Sequence, residues 1–112
     1  MTEGASDPGK VFWRPDPEVV ARTRMMSLAN KLGVSGYPEL VQYGIDNLDD
    51  FWAAAVEDIG IEWYQRYTAV RDSSRGVEWT RWFTGGRLNL VHNCIDKWVR
   101  DTPDAVALVS GR

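Results

Sequence analysis

The 112 residues, 44% hydrophobic and 26% charged, have the composition of a globular chain, long enough for one domain with its own core. A net charge of −3 argues against a general nucleic-acid or anionic-membrane binder, which needs a positive field. One cysteine, Cys94, and one histidine, His92, rule out a disulfide framework and leave little for a zinc site, and no apolar run approaches the roughly 18 residues of a membrane span.

In chain order, "MTEGASDPGK" is polar and lacks an apolar signal core, so residues 1–10 are expected to be a flexible arm on a soluble, cytoplasmic protein. Residues 11–112 are then expected to form the folded domain. "RPDPEVV" predicts a first helix, with Asp16 as N-cap, Pro17 at the first helical position and Glu18 near the positive end. Ala21, Met25, Leu28 and Leu32 give that helix one apolar face, and Gly33 ends it. A short helix over Pro38–Tyr43 follows, with Gly44 as its stop. Next, Asn47 is expected to cap a helix with Asp49 and Asp50 in its first turn, whose Leu48, Phe51, Trp52, Ala55, Val56 and Ile59 form an amphipathic stripe closed by Gly60.

The second half is less regular. Ile61 to Val70 reads as an extended segment with aromatic anchors, and Arg71 to Gly76 as a polar surface loop. "VEWTRWF" alternates and predicts a strand, with Val77, Trp79, Arg81 and Phe83 on one side. Gly85-Gly86 makes a turn. Leu88, Val91, Ile95 and Trp98 then predict a helix from about Asn89 to Arg100 whose stripe docks inward. "AVALVSGR" has the continuous apolar character of a strand buried on both faces, with no partner strand elsewhere in the sequence. The expected fold class is mainly α with short β segments, a small helical cap whose last strand would join a larger domain's sheet.

No self-contained active site emerges. "TGGRLN" has glycines and Arg87, but it lacks the Lys-Ser/Thr pair and the glycine spacing of a phosphate loop, so a structural turn is the expected reading. His92 and Cys94 stand two apart on a helix and point in different directions, which excludes a dyad between them. The acidic pairs Asp49-Asp50 and Glu57-Asp58 fit a solvated helix face. Trp79 and Trp82 interleave with Arg81 and Arg87 as in a single-strand binding platform, yet the acidic chain argues against that use. Six Trp, four Tyr and three Phe serve either as core anchors or as packing against another domain.

The order of motifs resembles the N-terminal region of AMP-forming acyl-CoA synthetases of the acetyl-, propionyl- and acetoacetyl-CoA type. The residues carrying the likeness are Trp13, Pro15, Tyr37, Leu40, Phe51-Trp52, Trp82-Phe83, Gly86, Leu88-Asn89, Asn93, Asp96 and the exit Pro103-Asp104-Ala107. Tyr43-Gly44 stands where related sequences often have Trp-Ser. The resemblance implies a ligase that makes an acyl-adenylate from ATP and a carboxylate and then passes the acyl group to CoA. It implies ATP, Mg and CoA for the parent enzyme, none of them held by this chain, and no catalytic, cofactor or metal residue within the chain. It implies that Phe12, Trp13, Trp82, Phe83, Leu88 and Asn89 pack against a partner: the parent's adenylation domain, or a second copy by self-association. On this reading the chain is a fragment or truncated product, inactive by itself. The rival readings are a free-standing interaction module derived from that cap, anchored by Phe12, Trp13, Trp82 and Phe83, and a small enzyme working through Arg87 and Asn89.

Overall fold

A computed structural model describes residue 11 and residues 13–111. The chain forms two compact units, one within its first 42 residues and one from Tyr43 onward.

In the first unit, helix α1 covers Pro17–Ala21 and helix α2 covers Arg24–Leu32. The continuous helix expected from the apolar spacing is therefore broken at Arg22 and Thr23. Thr23 causes the break. Its backbone is extended, its hydroxyl donates to the Val20 carbonyl at 2.7 Å, and the same oxygen accepts from the Met26 N–H at 3.3 Å. A threonine that satisfies backbone groups on both sides competes with helix continuation and serves as the true N-cap of α2. Asp16 sits at the start of α1 in extended conformation but makes no side-chain cap bond. Gly33, left-handed at φ +73°, ends α2 as expected. Among the described residues of this unit the buried apolar ones are Leu28, Ala29 and Leu40.

Helix α3, Tyr37–Asp46, runs past Gly44 instead of stopping there. A Cβ at Gly44 would stand 3.4 Å from the Phe51 ring, so this glycine serves close packing rather than termination. At the other end Ser35 N–H donates to Glu39 Oε2 at 2.8 Å, a reach-back that satisfies an orphan donor and holds the Glu39 carboxyl below its ordinary value.

In the second unit, helix α4 spans Leu48–Ile59 and ends at left-handed Gly60, as expected, with Ala55 and Val56 buried; Asn47 stands at its start but makes no side-chain cap bond, because its amide donates back to Tyr43 O at 3.4 Å. Strand β1, Ala69–Asp72, pairs antiparallel with β2, Arg81–Thr84, in the register Ala69↔Thr84, Arg71↔Trp82 and Asp72↔Arg81. The expected strand is thus confined to its second half, because Val77–Trp79 forms a 3₁₀ turn. Thr80 Oγ1 donates to the Val77 carbonyl at 2.7 Å and lies 2.8 Å from Ser73 Oγ, which closes the connection between the strands. Phe83 leaves the alternation altogether, with φ at +48°.

Residues 90–101 are helical, with a π-helical turn over His92–Asp96 followed by α5, Lys97–Asp101. The stripe does not dock inward within this chain. Val91, Ile95 and Trp98 are each more than half exposed, while Asn93 and Lys97 are buried. The wider π turn shifts the helix phase, and the inward face is held by polar bonds instead of apolar contacts. The apolar run after α5 is unpaired among the described residues: Val106, Leu108 and Val109 are at least 80% exposed.

Candidate domain-packing surface

The glycine turn is built as a structural element. Gly85 takes φ +78°, Gly86 N–H donates to Phe83 O at 3.0 Å, and Arg87 N–H donates to Gln65 O at 2.9 Å. Arg87 O in turn accepts from Tyr64 and Gln65 N–H. A Cβ on Gly86 would lie 2.6 Å from the Trp63 ring and 3.0 Å from Phe83 O, so glycine is required by the ring stacked on the turn. Asn89 Oδ1 accepts from His92 N–H at 3.2 Å and caps the helical run. The Gly86 and Arg87 N–H groups therefore satisfy chain carbonyls rather than converging on a phosphate, and the Asn89 side chain is committed to the cap. These residues do not fit an ATP site. Among the described residues no group of three or more His, Cys, Asp or Glu side chains could hold a magnesium ion.

Above the turn lies an aromatic cluster. Phe83 stands 5.1 Å from Tyr67 and 5.7 Å from Trp63, and those two are 5.3 Å apart. The left-handed backbone at Phe83, costing about 1–2 kcal/mol, aims its ring into this group. Phe83 is thus half-buried among rings of its own chain. Trp82 packs edge-on against Trp52 at 6.0 Å, and Trp52, Trp82 and Phe83 line an open apolar hollow of about 380 Å³. Both tryptophans remain exposed, Trp52 at 40% and Trp82 at 45%.

A polar grip holds the helical run 90–101 to the segment after α4. Asn93 Oδ1 accepts from Glu62 N–H at 2.7 Å, and Asn93 Nδ2 donates to Glu62 O at 2.9 Å and to Asn89 O at 3.0 Å. Lys97 Nζ donates to Gly60 O at 2.6 Å, and Trp98 Nε1 donates to Asn93 O at 3.2 Å. His92 Nε2 lies 2.6 Å from Glu62 Oε2, and Arg100 is 3.7 Å from the other carboxylate oxygen. The His92 hydrogen bond, helped by the nearby cations of Arg100 and Lys97, holds the Glu62 carboxyl below its ordinary value. Residue spacing did not reveal Asn93 and Lys97 as the inward face. The available signal was Asn89 and Asn93 one turn apart beside the glycine turn.

With its inward face polar, the helix displays Val91, Ile95 and Trp98 outward, continuous with a groove of about 350 Å³ lined by Ile95, Trp98, Val99, Pro103 and Val106. Leu88 is partly exposed at the head of the helix. Cys94 borders this groove, exposed and free, while His92 is engaged with Glu62. Trp13 is 76% exposed in the first unit, and Phe12 lies outside the described residues. The acidic pairs are surface features: Asp49 meets Arg71 at 2.9 Å and Glu57 meets Arg66.

Comparison with known proteins gives this surface its context. Residues 37–94, just over half of the chain, match the family described as Acetyl-coenzyme A synthetase N-terminus. A propionate–CoA ligase of Salmonella typhimurium is 38% identical over 66% of this chain and 11% of its own length. An acetoacetyl-CoA synthetase of Xenopus tropicalis is 32% identical over 92% of this chain and 16% of its own length. The solved acetoacetyl-CoA synthetase from Streptomyces lividans superposes with a TM-score of 0.71 at 25% identity, covering 82% of this chain and 15% of that one. The chain therefore spans only a small part of the length of the relatives it matches. Its motif order, helical content and two-stranded sheet agree with that matched region, and the chain belongs to the acetyl-coenzyme A synthetase N-terminal family.

Proposed function

We propose that residues 11–112 serve as the N-terminal domain of an AMP-forming carboxylate–CoA ligase acting on a short-chain acid in the cytoplasm. The observation that carries this reading is the pairing of family membership with an outward apolar helix face, Val91, Ile95 and Trp98, in a chain whose glycine turn and sole histidine are committed to its own structure. A helix normally buries such a stripe, and the residues that face inward here are polar and hydrogen-bonded. Within the second unit Trp82 and Leu88 add to the packing residues that meet the adenylation domain, Trp13 is a separate packing residue of the first unit, and the run 105–109 supplies a strand to that domain's sheet. ATP, Mg and CoA belong to the parent's downstream domains.

The test has two arms. The chain alone, incubated with ATP, Mg, CoA and acetate, propionate or acetoacetate, is expected to yield no acyl-CoA. Added to an acetoacetyl-CoA synthetase lacking the matching N-terminal segment, it is expected to bind and to raise the yield of active enzyme. Acyl-CoA formation by the chain alone, or no binding to the truncated synthetase, overturns the proposal.

A further inference from the structure

We draw no further inference here: the strongest candidate, the apolar groove between the helical run 90–101 and the exposed segment that follows it, belongs to the surface already assigned to domain packing, and nothing in the structure shows what else covers it.

Discussion

Replacing Asn93 by alanine removes three hydrogen bonds at once and leaves the Glu62 N–H without its acceptor. Glu62 is exposed and these bonds are only part-buried, so water replaces much of what is lost, and Asn93→Ala is expected to lower unfolding free energy by about 1–2 kcal/mol. Urea denaturation followed by tryptophan fluorescence measures it, and Trp98 is a convenient reporter because its indole donates to the Asn93 carbonyl. Glu62 carries a second, pH-dependent part of the same grip. Its folded-state titration lies below the ordinary value because His92 and neighbouring cations favour the carboxylate. A depressed carboxylate contributes stability that is present above its unfolded titration point and is lost as pH falls through the folded one. Denaturation midpoints of the native chain are therefore expected to fall on acidification, with a shallower fall in Glu62→Gln. Equal slopes for the two proteins would remove Glu62 from the acid response.

At the level of elements, side chains that capture backbone groups separate the legible parts from the others. Helix α4 was legible because its apolar spacing, its start after Asn47 and its Gly60 stop agree with one another. Apolar periodicity predicts one continuous first helix because it is blind to Thr23, whose hydroxyl ends one helix and starts the next. The strand over Val77–Phe83 failed for a similar reason, since Thr80 stabilises a turn inside an alternating pattern. The helix after Gly86 was placed correctly along the chain but turned the wrong way, because spacing cannot register a π turn. The role of Thr23 is testable: Thr23→Ala is expected to destabilise the first unit by about 1 kcal/mol, and Thr23→Ser to lose only a fraction of that. Helix content by circular dichroism and thermal midpoints would report it. An alanine variant as stable as the native chain would show that the helix break needs no hydroxyl.

For the chain as a whole, the order of Trp, Gly and Asn motifs points to the family, whereas which aromatic and apolar side chains stay exposed depends on side-chain geometry that spacing does not carry. Phe83 and Asn89 turned inward to its own rings and its own helix cap; Trp82, Leu88 and the helix stripe remained on the outside. An apolar stripe in water costs free energy in proportion to its area, and association is the available way to reduce that cost. The chain alone is expected to self-associate, its weight-average mass by light scattering rising with concentration. Ile95 is the best place to interrupt this, since it lies at the middle of the stripe, is more than half exposed and lines the groove. Ile95→Glu sets a charge on that face without burying it, so circular dichroism should be unchanged while the concentration dependence weakens. A native chain that stays monomeric at high concentration would mean that the stripe is too small or too divided to drive association. A glutamate variant that associates as strongly as the native chain would move the sticky surface to the hollow beside Trp52 and Trp82, where Trp82→Ala is the corresponding probe.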